Sequence, residues 1–313
     1  MCLRNELIPP HSFTGIRMSR LKEKIDTGDF IVTAELGPPR SASPRSIIKK
    51  VTYFQDGVDA VNITDNQTAI VRLSSIAAAA IVREHGLEPV IQMTCRDRNR
   101  IAIQGDLLGA AALGIENVLC LTGDHVTFGD HPEARPVFDL DSVQLLKTVA
   151  YMNSGRFLSG EKIKTRPTFC CGGAANPFAP PLRARLRRLR KKIEAGARFI
   201  QTQAIFDPTG FEEWMTRVRK AGLDKECAIL AGVMPVKSAK PLIYMKEEVP
   251  GMVIPDSVIE RLDQAGDPKV EGIALAAETI KQVSNIEGVQ GIHLMPLMWE
   301  KVTPKVLKKA GLI

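Results

Sequence analysis

The sequence predicts one (β/α)8 barrel of the TIM type, preceded by a short N-terminal helical extension. Three observations carry that prediction. From residue 31 onward, short apolar runs alternate with segments of helical period, and the alternation repeats eight times. Most of the runs are continuously apolar rather than alternating, as expected of parallel strands covered on both faces. No Gly-x-Gly-x-x-Gly phosphate loop follows the first run, which argues against the rival fold, an open doubly wound sheet. At 313 residues the chain is long for an average domain but ordinary for a barrel. The division expected is therefore an extension over 1–28 and a barrel over 29–313.

The extension holds one helix, over 19–27. The first strand, 31–36, leads to a helix over 44–54 with Ser43 as its cap. The second, 60–64, leads to an alanine-rich helix over 69–84 closed by Gly86. The third, 89–94, precedes a helix over 99–113 that stops at Gly114. The fourth, 117–121, opens the longest irregular loop, 123–140, before a helix over 141–153. Strands five and six fall at 168–171 and 198–203, and a helix over 208–221 stops at Gly222. Strand seven, 228–233, is followed by extra helices within 238–286, strand eight at 291–295, and a closing helix over 305–310.

Composition narrows the class. The chain is 44% hydrophobic and only 5% aromatic, so its core must be large and mostly aliphatic. No apolar run approaches the roughly 18 to 20 residues that span a bilayer. Residues 1–17 lack the basic start and apolar stretch of a signal peptide, and Met18 is an alternative start, so a cytoplasmic location is expected. None of the six cysteines forms a Cys-x-x-Cys pair, and Cys170 and Cys171 read as buried strand thiols. No metal site is expected, because His125, His131 and His293 are too sparse to share an ion with further ligands.

The formal net charge is +7, and basic residues crowd into 182–192. Leu182, Leu186, Leu189 and Ile193 run through that stretch at i, i+4, i+7 and i+11, which makes an amphipathic helix with a basic outer face. The face is either simply solvated or an anion site for a phosphorylated cofactor. Nucleic-acid binding is disfavoured, since no aromatic residues are interleaved to stack on bases.

Barrel enzymes work at the C-terminal ends of their strands. Strand one ends at Glu35, in Glu35-Leu36-Gly37-Pro38-Pro39-Arg40. A carboxylate there faces a costly burial unless it is paired or protonated, a setting that suits a general acid. Strand two ends in the polar cluster Asn62-Ile63-Thr64-Asp65-Asn66, and strand four in Leu121-Thr122-Gly123-Asp124. Gly123 admits a ligand close to backbone and lets Asp124 face the barrel mouth. Strand six supplies Gln203, a planar donor and acceptor for a heterocycle edge. Gly172 and Gly173 on strand five read as a platform for a flat ligand. Without a Gly-x-Ser-x-Gly elbow or a Ser-His-Asp set, hydrolase chemistry is disfavoured.

At these residues the sequence resembles the methylenetetrahydrofolate reductase family, over about residues 30 to 312. The resemblance rests on Glu35 with Pro38-Pro39-Arg40, Thr64, Thr94-Cys95, Leu121-Thr122-Gly123-Asp124, Ala195-Gly196-Ala197, Thr202-Gln203, Phe206-Asp207 and Gly232-Val233-Met234-Pro235-Val236. It implies an enzyme that reduces 5,10-methylenetetrahydrofolate to 5-methyltetrahydrofolate with a flavin, FAD or FMN. It implies that Glu35 is the general acid, that Asp124 tunes the flavin and orients substrate, and that Gln203 binds the pterin. Thr64, Leu121, Thr122, Gly123, Asp124, Arg188, Lys191 and Lys192 match positions that contact the flavin. Ala239 stands where NADH-using members carry an aromatic residue, Trp299 where they carry a substrate-binding arginine, Gly172 in place of an aromatic, and Arg185 in place of an acidic residue. The chain in this respect resembles the reductase subunit of multi-subunit bacterial enzymes, which implies a partner carrying iron–sulfur clusters as electron donor. The alternatives are a pterin-binding methyltransferase barrel and a non-catalytic subunit of a redox complex.

Overall fold

Eight parallel strands close into a barrel in chain order, with the last hydrogen-bonded back to the first. In the computed structural model, which describes residues 19–313, they are β1 (Ile31–Leu36), β2 (Ala60–Ile63), β3 (Pro89–Thr94), β4 (Asn117–Leu121), β5 (Cys170–Ala175), β6 (Phe199–Ala204), β7 (Ala228–Val233) and β8 (Val289–Leu294). Around them run α1 (Arg20–Thr27), α2 (Arg45–Val51), α3 (Ser75–Glu84), α4 (Arg100–Ala112), α5 (Ser142–Asn153), α6 (Leu182–Glu194), α7 (Pro208–Lys220), α8 (Ala239–Glu248), α9 (Asp256–Asp263), α10 (Pro268–Ser284) and α11 (Thr303–Ala310). The expectations for Cys2, Met18 and the leader over 1–17 lie outside the described residues.

Three elements depart from the sequence reading, each for a local reason. The helix expected from 69 begins only at Ser75, because Asn66, Thr68 and Ala69 hold left-handed backbone at φ 44°, 58° and 55°. Such residues cannot continue into a right-handed helix, whatever the alanine content downstream. Ser43 is not the cap of α2: Pro44 occupies that position, and the Ser43 hydroxyl meets only the Arg45 N–H, at 3.4 Å. Strand five lies two to four residues later than expected, at Cys170–Ala175, and so includes both glycines. Low strand propensity is overridden there by neighbours that fill the missing side-chain volume. A Cβ on Gly172 would stand 2.4 Å from the Phe199 ring, and one on Gly173 3.3 Å from Cδ of Lys192.

Strand alternation separates an outer shell from an inner core. Val32, Ala34, Ile63, Ile91, Val118, Cys171 and Ile200 pack outward among the helices. Ile31, Ala60, Val90, Leu119, Cys170, Phe199, Ala228 and Leu230 form a second cluster inside the barrel, joined by Leu21 and Ile25 of α1. Helix α1 therefore closes the N-terminal end of the barrel. Its own start is fixed by Ser19, whose hydroxyl donates to Glu88 at 2.6 Å and lies 2.7 Å from the Asn117 side-chain oxygen. Lys24 adds an ion pair to Asp59 at 2.8 Å. The described part of the 1–28 extension is thus packed into the barrel.

Candidate active site

Above the apolar plug, the inward-facing residues turn polar. Asn62 and Gln201 exchange amide hydrogen bonds at 2.8 and 3.0 Å, and Gln201 Nε2 donates to the Thr33 hydroxyl at 3.1 Å. The Thr33 hydroxyl also meets His293 Nδ1 at 2.9 Å, since β1 and β8 pair with Thr33 opposite His293. One pleat higher on β1, Gln92 Nε2 donates to Glu35 Oε1 at 3.0 Å. The Glu35 side chain is 12% exposed, and His293 Nε2 lies 3.9 Å from the same oxygen. These buried polar groups satisfy one another, which keeps a polar layer stable inside a barrel.

Two adjoining cavities open at the C-terminal ends of the strands. One, of about 270 Å³, is lined by Asp65, Asn66, Gln92, Thr94, Arg96, Leu121, Thr122, Gly123, Asp124, Ser142, Arg188 and Lys192, among others. The other, of about 250 Å³, is lined by Ala174, Ala175, Asn176, Arg185, Arg188, Leu189, Lys192, Gln203 and Trp214. Arg188 and Lys192 of α6 are common to both and form the wall between them. At Gly123 the backbone is left-handed, with φ 93°, and a Cβ would stand 3.1 Å from Arg96 and Thr94 side chains. Glycine is required there for both reasons.

Lys192 is the strongest electrostatic feature of the wall. Its stem lies along the bare Gly173 and its ammonium donates to the Ala174 carbonyl at 2.5 Å. Burial, and then the neighbouring Arg188, lower its pKa from 10.5 to about 8. Arg188 reaches Asp141 at 3.3 Å and the Ser142 hydroxyl at 3.4 Å, at the N-terminus of α5. On the opposite side, Arg96 is buried and ion-paired to Asp97 at 2.7 Å. It also donates to the carbonyls of Asn66 and Asp124, at 3.2 and 3.4 Å, and so ties the loop after β2 to the loop after β4. Asp65 accepts from the Thr94 N–H and hydroxyl, both at 2.9 Å, and from Arg98 at 2.7 Å. Burial works against the Arg98 charge, but Asp65 and Asp106 outweigh it and raise its pKa.

Of the residues expected at the site, Leu121, Thr122, Gly123 and Asp124 line one cavity, Gln203 the other, and Arg188 and Lys192 both. Glu35 lines neither but is bonded to Gln92, which does. Thr64 is buried beside them, and its hydroxyl has no hydrogen-bond partner. Lys191 is exposed and lines neither cavity, being about 100° around the helix from Lys192. Gly172 and Gly173 are not a ligand platform: Phe199 and Lys192 occupy the space they leave. Gln92, Thr33, Arg96 and Arg98 were not singled out from sequence, whereas Asp65 was, within the polar cluster that ends strand two. Their signal was present as polar residues inside or directly after apolar strands, in Thr33, Gln92 and the run Cys95-Arg96-Asp97-Arg98.

Among the described residues, no three His, Cys, Asp or Glu side chains converge as metal ligands, and no helix is long and apolar enough to cross a membrane. Cys95, Cys120, Cys170, Cys171 and Cys227 are buried free thiols, and burial pushes Cys95 and Cys171 up to about 12. His125 and His131 bond within their own loop, to Thr127 and Asp130.

Residues 20–311 match the family described as methylenetetrahydrofolate reductase. The chain is 26% identical to methylenetetrahydrofolate reductase 2 of Schizosaccharomyces pombe, an alignment covering 94% of this chain and 47% of that protein. It thus spans about half the length of that relative. It is 26% identical to the 5,10-methylenetetrahydrofolate reductase of Salmonella typhimurium, covering 86% of this chain and 87% of that one. Among solved structures, an uncharacterized protein from Clostridium thermocellum that binds two copies of 5-methyl-5,6,7,8-tetrahydrofolic acid is similar in fold, with a TM-score of 0.66 at 15% identity over 94% of this chain and 97% of that one.

Proposed function

The chain belongs to the methylenetetrahydrofolate reductase family, and on that footing we propose that it reduces 5,10-methylenetetrahydrofolate to 5-methyltetrahydrofolate with a bound flavin, FAD or FMN. One observation carries the reading most strongly. The part-buried Glu35 carboxyl accepts from Gln92, which lines a cavity whose wall includes the cations Arg188 and Lys192. A proton donor and an anion-holding wall at one barrel mouth are what this reaction asks of a protein.

The residues present fit a flavin. Lys192 and Arg188 supply positive charge for a phosphate. Gly123 brings backbone close to the ligand without a side chain. The unpartnered hydroxyl of Thr64 has a hydrogen bond to give. When bound and reduced, the flavin supplies the hydride that converts the methylene carbon to a methyl group. Glu35 gives a proton to the departing ring nitrogen as the five-membered ring of the folate opens to the iminium ion. Gln203 hydrogen-bonds the pterin, and Asp124 orients it and sets the polarity beside the flavin. The solved Clostridium thermocellum protein of similar fold, which binds 5-methyl-5,6,7,8-tetrahydrofolic acid, supports a folate as ligand.

Electrons come from a partner subunit carrying iron–sulfur clusters. Ala239, buried in an apolar cluster with Leu242, stands where NADH-using members carry an aromatic residue, which disfavours direct use of a nicotinamide. The buried free thiols accord with a reducing compartment such as the cytoplasm. The test is Glu35→Gln. The variant should bind flavin as the parent does and lose folate reduction; retained turnover removes Glu35 from the acid role. A purified chain that takes up no flavin at micromolar concentration would favour the pterin-binding methyltransferase alternative.

A further inference from the structure

The polar layer beneath Glu35 is more ordered than a floor needs to be. Gln201 Nε2 uses one N–H on Asn62 Oδ1 and the other on the Thr33 hydroxyl, while Asn62 Nδ2 returns a bond to Gln201 Oε1. Thr33 therefore accepts from Gln201 and has one proton of its own to place. Its nearer acceptor is His293 Nδ1, at 2.9 Å, against 3.3 Å for the Ile292 carbonyl. A hydroxyl donating to Nδ1 leaves the imidazole neutral with its proton on Nε2. That nitrogen is the one 3.9 Å from Glu35 Oε1. The same Oε1 already accepts from Gln92, and Glu35 Oε2 accepts no hydrogen bond from the protein among the described residues.

We propose that His293 is a positioning residue for Glu35, its tautomer fixed by the Thr33–Gln201–Asn62 chain, so that Oε1 is held by protein donors and Oε2 carries the proton given to substrate. The inference rests on the reading of Glu35 as the acid. As Oε2 gives up its proton, the carboxylate charge spreads to Oε1. A small rotation of Glu35 brings Oε1 from 3.9 Å into hydrogen-bonding range of Nε2–H, about 2.9 Å. The anion left by proton transfer then has two N–H donors rather than one, which favours the transfer. The other titratable groups at this end are engaged elsewhere: Asp65 with Arg98, and Glu300 with Lys50. Asp124 and Lys192 line the cavity and are not bonded to Glu35.

Two measurements on the full chain test this. In 15N-histidine-labelled protein, the His293 resonances, assigned by their loss in His293→Gln, should report Nε2–H, and Thr33→Val should release that preference. An Nδ1–H tautomer in the parent overturns the inference without any activity measurement. In the flavin-loaded, reduced protein, the pH dependence of folate reduction is then compared across variants. His293→Leu removes the donor and should slow reduction about tenfold at neutral pH and move the alkaline limb upward by about one pH unit. His293→Gln keeps an N–H at similar reach and should restore most of the rate and the limb. A purely structural role would lower the rate in proportion to misfolded protein and leave the limb in place. If Glu35→Gln is inactive while His293→Leu keeps the parental limb, this inference fails and the function stands. If Glu35→Gln turns over, the reading of Glu35 itself has failed.

Discussion

Replacing Lys192 with methionine separates what the buried cation costs the fold from what it gives the site. Holding the ammonium charged in a position that lowers its pKa from 10.5 to about 8 is unfavourable by about 3 kcal/mol, at 1.36 kcal/mol per pH unit. Methionine matches the stem along Gly173 but loses the bond to the Ala174 carbonyl, at a cost of about 1 kcal/mol. The variant should therefore be more stable than the parent by about 2 kcal/mol at neutral pH. The sign with pH follows from linkage. Below about 8 both folded and unfolded parent bind the proton, and the folded form carries the whole penalty. Between about 8 and 10.5 the folded parent releases the proton while the unfolded chain keeps it, so parental stability rises with pH. The advantage of Lys192→Met should shrink across that window. Urea unfolding at pH 7, 9 and 10.5 reads it directly. A variant less stable than the parent at pH 7, or a difference that ignores pH, would refute the reasoning. Under the proposed flavin role, the same variant should bind flavin at least tenfold more weakly, having lost a cation proposed to meet the phosphate.

Flavin affinity of the parent should fall as pH rises above about 8, because the anion then has to recruit a proton onto Lys192; a flat titration from pH 7 to 9.5 would remove Lys192 from the phosphate site. Gly172→Ala should destabilise the barrel by about 1 to 3 kcal/mol, since its methyl meets the Phe199 ring, and adding Phe199→Leu should recover part of the loss. Denaturation of the single and double variants tests that coupling, and additive effects would contradict it. Leu21→Ala, at a fully buried position in the plug, should cost about 2 to 5 kcal/mol of unfolding free energy; a loss below 1 kcal/mol would show that α1 does not close the barrel.

The barrel was legible because strand burial on both faces writes itself as continuous apolar runs, and seven of the eight strands lie within about two residues of their expected places. Strand five was displaced because its glycines read locally as loop, while their role depends on Phe199 and Lys192, which are distant in sequence. The start of α3 was hidden for a related reason: left-handed backbone at Asn66, Thr68 and Ala69 has no marker in residue type beyond the asparagine. The cavity wall was legible from strand ends and the amphipathic basic helix, although helical geometry assigns the wall to Arg188 and Lys192 and turns Lys191 to solvent. The layer that holds Glu35 was not. Thr33, Gln92 and His293 are single polar residues in separate strands, and only the barrel register sets Thr33 beside His293.

The measurement that bears most directly on the proposed reaction is a single anaerobic turnover. The flavin-loaded chain is reduced, mixed with 5,10-methylenetetrahydrofolate, and followed by the return of oxidised flavin absorbance, with the folate product quantified. Stoichiometric 5-methyltetrahydrofolate per flavin, formed by the parent and not by Glu35→Gln, is the predicted result. Reduced flavin that stays reduced in the presence of the folate would contradict it.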